Sequence, residues 1–234
     1  MKLALIGHGA MGKLVERLAV EGGDEIVAVI ADGEAALSAA ALAEKLRGAD
    51  AVIDFSTAAA VKRNVEAVMI AEAAAVIGTT GWQNERDAIE QMVALHNGSL
   101  VFGANFSTGV NLFYRVAEFA AELFAKFPEY EVFIEEQHHS RKKDAPSGTA
   151  LKIEEIVRDE IGPDRNISVA ATRAGNIPGT HRVGFDGPAD QILLEHTARS
   201  REGFARGSLM AAKWIVGKKG FFEFTDVIGD ILNV

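Results

Sequence analysis

The chain contains no cysteine, which excludes disulfides, thiolate zinc sites and a cysteine nucleophile. No apolar run reaches the roughly 18 residues of a membrane-spanning helix. The start, Leu3-Ala4-Leu5-Ile6, lacks the basic opening, apolar core and small-residue cleavage site of a secretory leader, so a cytoplasmic location is expected. Nor is there an excess of positive charge. The 24 Lys and Arg stand against 33 Asp and Glu, a formal net charge of −9, which argues against a general nucleic-acid binder. Internal repeats, low-complexity segments and a long flexible linker are also absent. What is present is an ordinary globular composition, 48% hydrophobic and 24% charged. Its 234 residues suffice for one large domain or two small ones with a real core.

Up to Phe106 short apolar runs alternate with helical patterns. Residues 3–7, 25–32, 51–56, 74–78 and 100–106 read as strands, and 11–21, 35–46, 58–71 and 85–96 as helices. The strands are continuously apolar, as in a parallel sheet covered on both faces. The pattern predicts an α/β chain with a doubly wound parallel sheet. The texture then changes. Residues 110–127 read as one amphipathic helix, with Leu112, Val116, Phe119, Ala120 and Leu123 on one stripe, ended by Pro128. A strand at 130–134, a helix at 149–161, strands at 167–173, 181–185 and 191–197, and a helix at 208–216 follow. This half predicts a smaller α+β domain with a mixed sheet. A boundary near Asn105–Thr108 gives a first domain of residues 1–107 with 202–234 and a second of 108–201.

Gly7-His8-Gly9-Ala10-Met11-Gly12 fits G-x-G-x-x-G at the end of the first strand and the opening of the first helix. Gly7 permits the tight turn, Gly9 lets backbone approach a pyrophosphate, and Gly12 allows close helix–strand packing. The helix N-terminus adds N–H groups and a positive dipole. Asp32 closes the second strand twenty residues after Gly12, where an acid meets the adenosine ribose hydroxyls of a Rossmann-type site. A carboxylate there favours NADH by repelling a 2′-phosphate, while Lys13 offers a nearby positive charge, so NADH and NADPH both stay open. The plain alternative is a glycine turn that binds no nucleotide. Gly78-Thr79-Thr80-Gly81 and Asp54-Phe55-Ser56-Thr57 end two further strands and should face the same crevice. For Ser56 or Thr57 the ordinary reading is helix capping.

His138-His139-Ser140-Arg141-Lys142-Lys143 packs two histidines and three cations into six residues of an acidic chain. Successive strand residues face opposite sides, so the two histidines need not reach one ligand. The cations would lower the pKa of a neighbouring histidine, and a bound dicarboxylate would oppose that. Pro146-Ser147-Gly148-Thr149 then starts a helix, with Ser147 or Thr149 as cap and an open N–H at Gly148. Backbone donors and the dipole suit a carboxylate there, and a cationic side chain suits a second. The segment therefore reads as a site for a small dicarboxylate, against the alternative of a solvated basic loop. A metal site is not expected, because the flanking cations oppose it.

Glu136-Gln137-His138-His139, Lys142 and Asp144-Ala145-Pro146-Ser147-Gly148-Thr149-Ala150 closely resemble the 4-hydroxy-tetrahydrodipicolinate reductase family, also called dihydrodipicolinate reductase. The resemblance spans the chain. It includes Asp54-Phe55-Ser56, Gly78-Thr79-Thr80-Gly81, the run from Asn105 and Phe106 through Asn111, Ser200-Arg201 and Phe204-Ala205. It implies NAD(P)H-dependent reduction of a cyclic dicarboxylate to tetrahydrodipicolinate on the diaminopimelate route to lysine, with hydride delivered to C4. By motif match it makes His138 the proton donor and Lys142 its partner, with His139, Gly148 and Thr149 binding substrate. It assigns Gly7, Gly9, Ala10, Met11, Gly12, Asp32, Phe55, Gly78, Thr80 and the backbone at Asn105 and Phe106 to the cofactor, to which the charge of Lys13 and the strand-end position of Ser56 add those two residues. It further implies a homotetramer built through the substrate-domain sheets; the hinge near Ser107 follows instead from the linker-free boundary at Asn105–Thr108. Many members open with Gly-x-x-Gly-Arg-Met-Gly, whereas this chain has Gly9-Ala10-Met11-Gly12-Lys13, which leaves preference for NADPH open. The rival readings are another two-domain nicotinamide dehydrogenase, or a nucleotide sensor without turnover.

Overall fold

The computed structural model describes residues 1–31 and 37–233. The chain divides into two compact units, Met1–Thr108 with Glu202–Val234, and Gly109–Arg201. The first contains β1 (Lys2–Ile6), α1 (Ala10–Glu21), β2 (Glu25–Ile30), α2 (Ala39–Leu46), β3 (Ala51–Asp54), α3 (Val61–Ile70), β4 (Ala74–Ile77), α4 (Arg86–Leu95) and β5 (Ser99–Phe102). The second contains α5 (Thr108–Phe124), which opens at the boundary, then β6 (Glu131–His138), α6 (Gly148–Ile161), β7 (Ile167–Arg173), β8 (Thr180–Asp186) and β9 (Gln191–Thr197). The chain then returns to the first unit with α7 (Glu202–Ile215), β10 (Gly220–Glu223) and α8 (Phe224–Leu232).

The six strands of the first unit lie in the order β10-β5-β4-β3-β1-β2, all parallel. Their apolar runs bury both faces. Ala4, Ile6, Val52, Ala75 and Ile77 pack against Leu42, Val65 and Ile89 of α2, α3 and α4. The alternate residues Leu3, Leu5, Ala51, Ile53 and Val76 pack against Val15, Leu209 and Val227 of α1, α7 and α8. This is the expected doubly wound sheet, and strand order reverses between β1 and β3, where such sheets bind ligands. The C-terminal part departs from the sequence reading. Helix α7 starts at Glu202 instead of residue 208, and β10 and α8 add a sixth strand and a further covering helix. Gly207 lets α7 lie on the chain after β5, since a Cβ there would sit 1.7 Å from the Phe106 carbonyl oxygen.

The second unit has a mixed sheet, β7-β6-β8-β9. β6 and β7 are parallel and the other pairs antiparallel. Strand β6 runs on to His138, well past the expected end at 134, because it stays paired with β7 as far as Arg173. Val132, Ile134, Ile167, Val183 and Phe185 face Ile153 and Val157 of α6 and Phe113, Ala117 and Ala121 of α5. That corrects the expected α5 stripe. Leu112, Val116, Phe119 and Leu123 are 39 to 61% exposed, and of that stripe only Ala120 packs on the core. The helix carries two apolar stripes, and the buried one holds the small residues Ala117 and Ala121 at fourfold spacing.

Candidate active site

The β1–α1 turn is dictated by its glycines. Gly7 has φ +88°, and a Cβ there would sit 2.3 Å from the Phe55 carbonyl oxygen. At Gly12 a Cβ would sit 2.0 Å from the Gly7 carbonyl oxygen, whereas at Gly9 it would meet nothing within 4 Å. Packing therefore demands the first and third glycines, and the second stands open for a ligand. Gly9 is the N-cap of α1, with no side-chain cap bond and no acidic residue in the first turn. The amides near Ala10 and Met11 are left to an outside acceptor, which fits a pyrophosphate. Lys13 is exposed on α1. Asp32 lies outside the described residues.

The loops beyond β3 and β4 are tied by one buried carboxylate. Asp54 Oδ1 accepts from the Ser56 amide (2.8 Å) and Thr79 Oγ1 (3.0 Å), and Oδ2 from Asn64 Nδ2 (2.8 Å). Burial pushes the Asp54 carboxyl upward, against the pull of Ser56, Asn64 and Thr79. Ser56 Oγ takes a second bond from Asn64 (3.1 Å), and Thr57 makes no cap bond, so neither residue caps the following turn. The Phe55 ring lies flat on Gly78, where a Cβ would come within 2.1 Å of it, and it meets Phe106 edge-on at 6.5 Å. Thr80 is exposed on the same loop. Asn105 folds its Oδ1 back to accept from the Ser107 amide at 2.9 Å. Phe55, Gly78, Thr80 and Asn105 thus stand just beyond the C-terminal ends of β3, β4 and β5, the side of such a sheet on which ligands bind.

The basic segment is built around a residue that the charge pattern did not flag. Glu136 is 0% exposed. Arg173 forks it, Nη2 to Oε1 at 2.6 Å and Nη1 to Oε2 at 2.9 Å. The Ser147 amide donates to Oε1 at 3.0 Å, and His138 Nδ1 bonds Oε2. Burial opposes ionisation of Glu136, but Arg173, His138 and Ser147 together hold its carboxyl below the usual range. His181, opposite Glu136 on β8, approaches Ser147 Oγ with Nε2 at 3.1 Å and sets its ring edge-on to His138 at 5.1 Å. Burial first, then the neighbouring His138, push His181 down to about 4, so it is neutral at working pH.

Ser147 caps α6, accepting from the Ala150 amide at 3.2 Å. Thr149 instead bonds Tyr114 of α5, and Gly148 is exposed, with nothing within 4 Å of a built Cβ. Lys142 Nζ clasps Asp144 through both oxygens, at 2.9 and 2.8 Å. His139 has a buried Nδ1 with no hydrogen-bond partner. Desolvation and then Arg141 lower its pKa. The structure thus gathers His138, His139, Lys142, Gly148 and Thr149 at one end of the second unit and adds Glu136, Arg173 and His181. Glu136 and His138 share a strand face by period-two spacing, a signal legible in the sequence. Arg173 and His181 arrive only through strand pairing. Ligand atoms of Glu136, His138 and His181 all lie within 4.8 Å of one another, a spacing a metal could use. The Arg173 guanidinium occupies both carboxylate oxygens, so the set suits a hydrogen-bonded acid better than a cation.

A doubly wound sheet with an open glycine turn, joined to a unit bearing an imidazole–carboxylate cluster, defines a two-unit nucleotide-dependent oxidoreductase. Residues 1–106 match the family model for the dihydrodipicolinate reductase N-terminus and 109–228 that for its C-terminus. A 4-hydroxy-tetrahydrodipicolinate reductase of Christiangramia forsetii is 32% identical, covering 100% of both chains. One of Archaeoglobus fulgidus is 36% identical, over 97% of this chain and 100% of its own. A dipicolinate-bound dihydrodipicolinate reductase from Paenisporosarcina sp. TG-14 superposes with a TM-score of 0.78 at 20% identity, covering 97% of this chain and 99% of that one. An amine dehydrogenase from Mycobacterium smegmatis gives 0.57 at 10% identity, covering 97% and 95%, a likeness of fold alone. The chain belongs to the dihydrodipicolinate reductase family.

Proposed function

We propose that the chain reduces 4-hydroxy-tetrahydrodipicolinate, by way of dihydrodipicolinate, to tetrahydrodipicolinate with NADH or NADPH, in the diaminopimelate route to lysine. The observation that carries this is the intact basic turn, its histidine buttressed by Glu136 and Arg173, in a chain matching the family from end to end. In this reading the first unit holds the nucleotide and the second holds the substrate. The nicotinamide, when bound, supplies the hydride to C4 of the substrate ring. The start of α1 holds the pyrophosphate, and Phe55, Gly78, Thr80 and the backbone at Asn105–Phe106 shape the nicotinamide pocket. Lys142 exchanges Asp144 for one substrate carboxylate. Gly148, Thr149 and His139 take the other. His138 donates the proton that completes the reduction. A cytoplasmic location, with a shared pool of nucleotide and free acid, fits this chemistry, and among the described residues no helix is long and apolar enough to cross a membrane.

The direct test is cofactor oxidation with freshly made synthase product, run in parallel with NADH and NADPH. Turnover is expected with both and faster with NADH, from the carboxylate at Asp32. Nucleotide binding without turnover on either would overturn the substrate assignment.

The proposed assembly is a homotetramer joined through the sheet face turned away from α5 and α6. There Phe133 covers Gly184, and the paired Leu193 on β9 is 46% exposed. Light scattering should give four subunits, and Leu193→Glu should yield smaller species by placing a charge in a desolvated contact. A monomeric wild type at micromolar concentration would rule the assembly out.

A further inference from the structure

Four donors converge on Glu136: both Arg173 nitrogens from β7, the Ser147 amide from the start of α6, and His138 two residues along β6. With Nδ1 of His138 engaged, Nε2 is the ring atom left for chemistry. It lies beside Gly179, where a Cβ would sit 3.0 Å from Nε2, and Gly179 has φ +135°. Any other residue at 179 would crowd that nitrogen.

We propose that Glu136 is a positioning residue: it accepts the Nδ1–H of His138, fixes the ring's orientation and tautomer, and makes Nε2 the atom that releases the proton. Which ring nitrogen of a histidine keeps its proton is set by the bond the other makes. Arg173 and the Ser147 amide in turn keep Glu136 ionised. In the step itself the Nε2–H bond breaks and its electron pair stays on the ring. The proton joins the substrate as the hydride's counterpart, and Nε2 is reprotonated from solvent. The other groups around His138 leave this arrangement undisturbed. His181 on β8, with His196 behind it on β9, stays neutral. Lys142 spends its charge on Asp144, and His139 has its pKa lowered by desolvation.

The proton's destination rests on the reductase reading; the tautomer does not. Two measurements separate them. The ¹⁵N ring shifts of His138 in the intact wild-type protein, assigned with His138→Gln, should show Nδ1 protonated and Nε2 bare at alkaline pH. The reverse tautomer overturns the proposal whether or not the enzyme turns over. Glu136→Gln should lower kcat roughly 10- to 100-fold, as loss of an orienting partner does, with substrate KM within about twofold. The alkaline limb of its kcat profile should move to lower pH, because Arg173 then faces the imidazolium without a counter-charge. A kcat loss with an unmoved limb is a purely structural effect and overturns the proposal. If Glu136→Gln fails to fold, the wild-type ring shifts still decide. If the wild type never reduces authentic substrate, the reductase reading falls and the tautomer result stands on its own.

Discussion

Replacing His138 by glutamine is expected to lower kcat by roughly 100- to 10,000-fold, the usual cost of losing a general acid, with little change in affinity for either ligand. Glutamine keeps the reach of the ring and can still donate an amide N–H to Glu136, so the cluster stays folded. It cannot release a proton near neutral pH. Substrate KM should hold within a few-fold, because the proposed carboxylate contacts lie on Lys142, His139 and the start of α6. Nucleotide affinity should not move, since the glycine turn and the Asp54 network belong to the other unit. Steady-state kinetics with a fluorescence titration of NADH checks both halves. A variant with near wild-type kcat would remove His138 from the acid role. A KM that rises in step with the loss of kcat/KM, at unchanged kcat, would make it a binding residue instead. Lys142, on the loop that follows β6, is the contrast, since its ammonium should act mainly on KM through a substrate carboxylate.

The two halves of this site differ in how far the sequence discloses them. The nucleotide turn is local. Gly12 is required by the Gly7 carbonyl five residues before it, and the glycine spacing and continuous apolar runs mark the turn and its strands even though the Phe55 carbonyl that demands Gly7 arrives from just past β3. The acid cluster is not local. Charge draws attention to residues 138–143, yet the group that organises them is a buried carboxylate just upstream. Its partner Arg173 lies 37 residues away, delivered by the parallel pairing of β6 with β7. Period-two spacing places Glu136 on the His138 face; nothing local places Arg173 or His181 there. The α5 stripe fails for a related reason. Large apolar residues give the stronger periodic signal, but Ala117 and Ala121 let the helix approach the sheet closely, and closeness of approach decides which stripe is buried. Strand β10 has four residues, too few for periodicity to declare, and it joins the sheet because β5 offers an unpaired edge.

Arg173→Ala tests the electrostatics of the cluster through stability alone. The wild-type fork joins a 0% exposed Glu136 side chain to an Arg173 side chain that is 17% exposed. Removing one member of a buried pair typically costs 3–5 kcal/mol, because the other charge is left without compensation. His138 and the Ser147 amide still serve Glu136, so a loss of about 3 kcal/mol is expected at pH 8, a fall in Tm of roughly 5–10 °C. The pH dependence follows from the direction of each shift. In the wild type the Glu136 carboxyl is held below its ordinary value, so its contribution is complete above the ordinary carboxylate range and is lost as pH falls through the folded value. Without Arg173, burial dominates and pushes that carboxyl upward. The variant's deficit should then be largest at neutral and alkaline pH and shrink on acidification, as Glu136 takes up a proton. His181 adds a slope common to both proteins. Its ordinary value of 6.5 is depressed to about 4 in the fold, so the unfolded chain binds that proton first and stability declines between those two pH values. Only the difference between variant and wild type at matched pH therefore reports on the fork. Thermal unfolding at pH 5 and pH 8 supplies it, and Glu136→Gln combined with Arg173→Ala should recover much of the loss at pH 8 by removing the stranded charge. A gap in Tm independent of pH, or a double variant no better than Arg173→Ala, would mean that Arg173 stabilises the sheet edge by packing and leaves the carboxylate to its other donors.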